Sequence, residues 1–168
     1  MEKKFFTTQE LVFTALMTAL VFVATYLPHI PIPLGYAHLG DAVIFLLAFL
    51  APRRTALFAA CIGSALADLL GGFVLWIVPT LVIKFVMAEI VCRIGRRGNE
   101  IAPRSSIIVA LFLASLWMAA AYTLAGAVLY ASLPAALASA PGLLMEGAVN
   151  SIITFLLLPV LRERFPSF

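Results

Sequence analysis

Charged side chains are scarce in this chain of 168 residues: they make up 11% of it, whereas hydrophobic residues make up 64%. Soluble domains carry about 25% charged residues, so this chain has too little charge to solvate the surface of a water-soluble fold. The shortage predicts an integral membrane protein with a single transmembrane domain, residues 1–168, in contact with the lipid bilayer.

Cysteine is nearly absent, and the common catalytic motifs are wholly absent. Cys61 and Cys92 lie inside apolar runs, which gives neither a disulfide framework nor a metal-binding spacing. Gly71 and Gly72 lead into FVLW rather than a GK[ST] motif, and the chain contains no HExxH or GxSxG motif. We therefore predict no metal site, no cofactor, no ATP-binding loop and no enzymatic activity.

Long apolar runs separated by Pro and Gly predict an all-α, polytopic membrane fold with six transmembrane helices, because a helix satisfies its own backbone groups in lipid. The second run is short, about 20 Å by helical rise, so whether it spans fully is left open. Prolines such as Pro52, Pro103 and Pro141 lie at the predicted breaks. The predicted helices cover residues of about 7–27, 39–51, 54–71, 79–95, 105–130 and 142–161.

The basic residues predict how the chain lies across the membrane. In a six-helix arrangement every basic residue except Lys84 falls on one side. By the positive-inside rule, the N- and C-termini are both cytoplasmic. The excess of base thus needs no nucleic acid partner. The residues on this side are Lys3, Lys4, Arg53, Arg54, Arg93, Arg96, Arg97, Arg104, Arg162 and Arg164.

Four predicted helices place ionisable side chains in the outer third of the membrane: Asp41, Asp68, Lys84 and Glu146, with Asn150 one turn below Glu146 on the same face. A charge at the bilayer centre costs about 2.5–3.5 kcal/mol, so these groups should face the bundle interior. Three acids against one base favour a water-filled cavity over a closed cluster, which would leave carboxylates unpaired.

A purely structural role for these charges is the alternative. Lys84 could pair with Asp68 or Glu146 to hold helices together, and Asp41 could reach the outer interface. The deeper Glu89 is explained by an i,i+4 pair with Arg93.

Aromatic side chains are predicted at the same depth as the acids. Each could be an interface anchor, or together they could clamp a flat ring whose edge is read by hydrogen bonds. Tyr36 and His38 lie in a Pro-rich outer loop beside the cavity, as a lid would, although His29 and His38 could equally be solvated loop residues. The aromatic residues are Tyr36, Phe73, Trp76, Tyr122 and Tyr130.

Small residues at four-residue spacing predict close helix packing. Ala15 and Ala19 form one such pair on the first helix, and Gly63, Ala67 and Gly71 form another series on the third. Either face could serve internal packing or the docking of another protein.

Three stretches, read in order, resemble a known family. They are LGDAVIFLLAF (Leu39 to Phe49), ALFAACIGSALADLLGGF (Ala56 to Phe73) and PTLVIKFVMAEIV (Pro79 to Val91). Together they resemble the S components of energy-coupling factor (ECF) vitamin transporters, in the riboflavin-type, hydroxymethylpyrimidine and pyridoxine branch. The detailed similarity covers residues 35–91, and the size, helix number and charge pattern extend it over the whole chain.

The resemblance implies a substrate-binding subunit of a bacterial or archaeal plasma membrane that takes a vitamin from outside with high affinity. It implies as partners a membrane T component and, through it, two cytoplasmic ATPases, with rotation of the whole subunit delivering the ligand inside. The family's Ala-x-x-x-Ala face for the T component matches Ala15 and Ala19. The family's ligand position matches Lys84, Glu146 and Asn150.

From these residues we expect Lys84 and Glu146 to bind polar edges of the ligand and Asn150 to offer a donor and an acceptor. Trp76 or Tyr122 would stack on the ring. Asp41 would order the outer loop from the start of the second helix, where the helix dipole favours a carboxylate.

A vitamin B6-type ring suits acids plus a lysine, hydroxymethylpyrimidine suits them nearly as well, and riboflavin comes third. Two other functions stay open from the residues alone. One is a proton-coupled secondary transporter with Asp68 or Glu146 as the coupling carboxylate, and the other is an intramembrane enzyme with paired carboxylates.

Overall fold

The computed structural model describes residues 7–27, 30–98 and 100–164, and this part of the chain forms six α-helices and two short β-hairpins. Lys3 and Lys4, which entered the orientation argument, and Pro28 and His29 lie outside the described residues. The helices are α1 (Thr8–Tyr26), α2 (Gly40–Leu50), α3 (Arg53–Leu70), α4 (Ile77–Ile94), α5 (Arg104–Leu129) and α6 (Leu133–Arg164). The strands are β1 (Ile30–Ile32), β2 (Gly35–Ala37), β3 (Arg96–Arg97) and β4 (Glu100–Ile101).

The all-helical fold is confirmed, and four helical segments are long and apolar enough to cross a membrane. They are Thr8–Tyr26, Val74–Ile94, Arg104–Leu129 and Leu133–Glu163. α2 is apolar but only 11 residues long, and α3, which begins with Arg53 and Arg54, is not among the four. Six crossings and the cytoplasmic position of both termini remain predictions.

The predicted start of the last helix is wrong. α6 begins at Leu133 rather than near residue 142, so Pro141 lies inside the helix. A proline in a helix interior loses one backbone hydrogen bond, which is why the sequence reads as a break there. Pro134, by contrast, lies in the first turn, where a proline has no such bond to lose. The early start brings Ala136 and Ser139 to the pocket described below.

The first outer loop is a β-hairpin, which the sequence analysis did not predict. β1 and β2 pair antiparallel, with Ile30 opposite Ala37 and Ile32 opposite Gly35. The hairpin lies against α5 and α6: a Cβ placed on Gly142 would come within 2.8 Å of the Ile32 side chain. It leads directly into α2 and thereby covers one end of the helix bundle.

α2 is enclosed by the rest of the protein, because it contacts α1, α3, α4 and α6. Most of its side chains are buried, including Ile44 and Phe45 at 0% exposure. The Arg96 guanidinium donates to the carbonyl of Ala51 at 2.7 Å and thus satisfies a group at the C-terminal end of α2. A helix enclosed in this way does not have to match the bilayer thickness by itself.

α1 packs mainly against α3, and α5 mainly against α6, with α4 between α3 and α5. The small-residue series of α3 serves the first contact, because Gly63 faces Thr18 and Val21 of α1. On α4, the predicted pair of Glu89 with Arg93 is confirmed at 2.5 Å, and Arg53 also donates to Glu89, at 2.8 Å from its Nε.

Candidate functional site

A pocket opens where the β1–β2 hairpin meets α3, the turn before α4, α5 and α6. It contains about 540 Å³ of space that no atom fills, its open mouth included, but only about 60 Å³ of that space is wide enough for the centre of a water molecule. The pocket is therefore narrow in this conformation, and a ring-shaped ligand fits only if the walls move. Its apolar wall residues are Ile32, Leu34, Phe73, Ala136 and Leu143.

Six of the eight residues predicted to bind substrate line this one pocket. They come from the hairpin, the end of α3, the turn before α4, α5 and α6, so the fold brings together side chains that are far apart in sequence. Lys84 and Asn150 do not line it. The six residues are Tyr36, His38, Asp68, Trp76, Tyr122 and Glu146.

The carboxyl of Asp68 meets the hairpin through Tyr36, whose phenol donates to Asp68 Oδ1 at 3.3 Å. Burial and the nearby Asp68 raise the pKa of the Tyr36 phenol above its usual value, so this phenol remains a donor at neutral pH. Within the described chain, the buried Asp68 Oδ2 has no hydrogen-bond partner. One oxygen of Asp68 is thus held by the hairpin while the other needs a donor.

Trp76 and Tyr122 form the aromatic part of the wall, with ring centroids 5.6 Å apart and planes tilted by 51°. Each ring is fixed by a hydrogen bond: Trp76 Nε1 donates to the Tyr130 hydroxyl at 3.2 Å, and the Tyr122 hydroxyl bonds to Thr80 Oγ1 at 3.0 Å. The tilt means that a flat ligand can stack face to face on one of the two rings at a time.

Lys84 pairs with Asp41, not with Asp68 or Glu146 as the structural alternative supposed. Both side chains are almost completely buried, and the Lys84 ammonium lies 5.3 Å from the centre of the Tyr122 ring. The ion pair joins α4 to α2. Asp41 lies in the first turn of α2, as expected, and its Oδ1 accepts from Lys84 of α4. Its role in ordering the outer loop remains a prediction.

Asn150 is fully buried and uses its amide to join three parts of the protein. Its Nδ2 donates to the carbonyls of His38 and Glu146, both at 2.9 Å, and its Oδ1 accepts from the Ala42 N–H at 2.9 Å. Both amide hydrogens and one acceptor position are thereby used within the protein. This arrangement positions Glu146 and the end of the hairpin rather than offering groups to the pocket.

His38, Asp41 and Glu146 approach one another at the edge of the pocket. His38 Nδ1 lies 3.2 Å from Glu146 Oε1, and one donor atom from each of the three residues lies within 4.8 Å of the others. All three side chains are buried. They come from the hairpin end, α2 and α6. The sequence places Asp41 and Glu146 at a similar depth but does not predict the cluster, because depth along a helix does not give the direction in which each side chain points.

Comparison with known proteins agrees with this architecture. Residues 5–163 match the family described as ECF-type riboflavin transporter, S component. A protein of Pyrococcus woesei, named "Uncharacterized protein in gap 3'region", is 37% identical over 112 residues, which are 66% of this chain and 73% of that protein. The resemblance seen in the three sequence stretches is confirmed, and the enzyme alternative is excluded because S components are transporter subunits. The chain belongs to the S-component family of ECF-type riboflavin transporters and is a multi-pass, substrate-binding membrane subunit of an ECF importer.

Proposed function

We propose that this S component binds a small heteroaromatic vitamin or vitamin precursor with high affinity in the pocket beneath the β1–β2 hairpin. A vitamin B6-type compound is our first candidate, hydroxymethylpyrimidine the second and riboflavin the third. The single observation that carries the proposal is the composition of the pocket wall: the Trp76–Tyr122 aromatic pair faces the same space as the carboxyls of Asp68 and Glu146.

The chemistry of this wall favours a ring that donates hydrogen bonds from its edge. Asp68 Oδ2 and Glu146 Oε1 are buried and have no hydrogen-bond donor in the described parts of the protein, and carboxylates accept strong bonds from hydroxyls, amines and protonated ring nitrogens. Trp76 or Tyr122 would hold the ring plane.

The size of the pocket supports a one-ring ligand over a three-ring one. The centre of a water molecule fits in only about 60 Å³ of the pocket in this conformation, so a pyridine or pyrimidine ring displaces the walls less than an isoalloxazine does. The hairpin would shift as the ligand enters. Riboflavin stays among the candidates because the family carries its name.

The remaining parts of the transport cycle would come from partners. Ala15 and Ala19 lie on the exposed face of α1, opposite the face packed on α3, and would contact the T component, which connects to two cytoplasmic ATPases. The subunit would lie in a bacterial or archaeal plasma membrane with both termini cytoplasmic and the pocket facing outward.

Binding of candidate vitamins to the purified subunit tests the ligand. Isothermal titration with pyridoxine, hydroxymethylpyrimidine and riboflavin should give tight binding of a one-ring compound, and mass spectrometry of co-purified small molecules should find the same class. Glu146→Gln and Asp68→Asn should each weaken binding by about 2–4 kcal/mol, because a buried charged hydrogen bond is lost.

Glu89→Gln is the matched control, since Glu89 belongs to the Arg53–Arg93 cluster away from the pocket, and it should leave binding unchanged. Equal affinities in wild type, Glu146→Gln and Asp68→Asn would contradict the assignment of the pocket. Uptake into liposomes driven by a pH gradient without ATPases would instead favour the proton-coupled transporter.

A further inference from the structure

His38, Asp41 and Glu146 together present a set of donor atoms that suits a metal ion. We propose that these three side chains form a binding site for one divalent first-row transition metal ion at the wall of the pocket. The proposal stands on the geometry of the cluster alone, and it holds whether or not the ligand proposed above is correct.

The distances fit a shared coordination sphere. Metal–nitrogen and metal–oxygen bonds of about 2.0–2.2 Å place neighbouring ligand atoms about 3.0–3.4 Å apart. His38 Nδ1 and Glu146 Oε1 lie 3.2 Å apart, and with Asp41 the three donor atoms are all within 4.8 Å of one another. To reach this spacing from a separation of up to 4.8 Å, the Asp41 carboxyl would have to move toward the other two ligands.

The facing acceptor atoms of His38 and Glu146 need a proton or a cation between them. The Gly40 N–H donates to His38 Nδ1 at 3.2 Å, so this nitrogen carries a lone pair. Glu146 Oε1, which is also an acceptor, faces the same nitrogen. Two acceptors this close in a buried site repel each other unless a proton or a cation lies between them.

The unsatisfied carboxylate oxygen of Asp41 favours a metal ion over a single proton as the group that lies between the three side chains. Its Oδ1 is held by Lys84, but its fully buried Oδ2 has no hydrogen-bond donor among the residues described. A single proton between His38 and Glu146 would leave that oxygen unsatisfied, and an unsatisfied buried carboxylate oxygen is costly. A divalent ion would engage all three side chains at once.

The donor types indicate the class of metal. One imidazole nitrogen with two carboxylate oxygens suits Mn²⁺, Fe²⁺, Co²⁺ or Zn²⁺, whereas Ca²⁺ and Mg²⁺ prefer oxygen alone and Cu⁺ prefers sulfur. His38 and Glu146 also line the pocket, so open coordination positions would face the space into which a ligand enters. Asn150, which bonds to the carbonyls of both residues, would position them.

Metal titration of the purified, EDTA-treated full-length protein tests this site without any vitamin. Zn²⁺ should bind with one equivalent per chain in isothermal titration, and Co²⁺ at the same site should give visible absorption bands that Zn²⁺ abolishes. Glu146→Gln, Asp41→Asn and His38→Gln should each weaken Zn²⁺ binding at least tenfold. X-ray absorption of the Zn²⁺-loaded wild type should show one imidazole, oxygen ligands and no sulfur, which tests the site even if a variant fails to fold.

Asp68→Asn separates the two proposals, because Asp68 lines the pocket but is outside the cluster. It should weaken vitamin binding and leave Zn²⁺ binding within twofold of wild type. If the wild-type protein binds no stoichiometric Zn²⁺, Co²⁺ or Mn²⁺, the metal proposal is overturned. Only a proton would then lie between His38 and Glu146. Metal binding that is the same in all cluster variants would overturn it as well.

Discussion

At the scale of single residues, the buried pair of Lys84 and Asp41 decides how charge is accommodated inside the bundle. Lys84 is 1% exposed and Asp41 0%, so each would be very unfavourable alone in this environment. The attraction between two buried charges roughly offsets the cost of removing them from water, but removing one partner leaves the other uncompensated, at about 3–5 kcal/mol.

We therefore expect Lys84→Met to lower the free energy of unfolding by about 3–5 kcal/mol, and Asp41→Leu added to it to restore most of the loss. Titration with SDS, followed by circular dichroism, would measure both. Arg93→Met is the matched control, because it breaks a pair at an arginine that is 74% exposed, and exposed pairs contribute about 0–1 kcal/mol. A double variant no more stable than Lys84→Met would show that the two residues are not coupled.

Asn150 acts on its neighbours through its amide. Ala42 belongs to the first turn of α2, where backbone N–H groups have no partner within the helix, and Asn150 Oδ1 supplies that partner from α6. The same side chain holds the carbonyls of His38 and Glu146. The residue is thus a cap for α2 and a support for the pocket.

Asn150→Ala should consequently destabilise the protein by about 2–4 kcal/mol, since the buried His38 carbonyl and the buried Ala42 N–H lose their side-chain partner, and should also weaken ligand binding. Ser151→Ala removes one hydrogen bond, to Ser115 at 3.0 Å, from the next residue of the same helix and should cost about 1 kcal/mol. Unfolding in SDS and ligand titration measure the two effects. If Asn150→Ala is as stable as Ser151→Ala, the capping role is wrong.

At the scale of elements, helix positions follow from the sequence more readily than helix partners do. The apolar runs predicted five helices close to their observed bounds. They could do so because a chain segment in lipid must satisfy its own backbone hydrogen bonds, which a continuous helix does. The start of α6 was missed because Pro141 reads as a break, and the β1–β2 hairpin was missed because its prolines, Pro31 and Pro33, obscure the alternation of a strand.

The candidate site, too, could be predicted from the sequence only in part. Helical rise gives the depth of Asp41, Asp68, Lys84 and Glu146 in the membrane, and that depth correctly indicated that they lie near one another. It does not give the direction in which each side chain points. Whether Lys84 meets Asp41 or Asp68 depends on α2 being enclosed by four other helices, which is a property of the whole packing.

The contact of α1 with α3 relies on the absence of a side chain at Gly63. A Cβ there would lie 2.8 Å from the Thr18 carbonyl oxygen and 2.8 Å from Val21 Cβ, too close for any rotamer change to relieve. Gly63→Ala should therefore push the helices apart and lower the free energy of unfolding by about 1–3 kcal/mol. Gly35→Ala, with no atom within 4 Å of the new Cβ, is the control in the same SDS titration, and equal stability of the two would contradict this packing.

The opposite face of α1 gives a prediction about assembly. Ala15 and Ala19 are exposed, so Ala15→Trp should leave folding and vitamin binding of the isolated subunit intact. It should abolish uptake with the T component and ATPases, because the bulky ring prevents close helix approach. Uptake assays in cells and titration of the purified subunit measure the two properties. Leu16→Trp, at a neighbouring exposed position, should retain uptake, and equal uptake by the two variants would place the T component elsewhere.

At the scale of the whole molecule, the distribution of charge predicts a single orientation. In the structure the exposed Arg97 lies in the β3–β4 hairpin between α4 and α5, and Leu133 begins α6 after the turn that follows α5. Because α5 is 26 residues long and apolar enough to cross the bilayer, these two positions should lie on opposite sides of the membrane. The positive-inside rule assigns the arginine-rich side to the cytoplasm.

Cysteine labelling in cells tests this orientation. In a chain with Cys61 and Cys92 replaced by alanine, Leu133→Cys should react with a membrane-impermeant maleimide in intact cells. Arg97→Cys should react only after the membrane is permeabilised, and each variant serves as the control for the other. The reverse labelling pattern would show that the subunit has the opposite orientation. The pocket would then face the cytoplasm, where it could not take up an external vitamin. Labelling of both in intact cells would mean that α5 does not cross the membrane, and the six-helix arrangement would then be wrong.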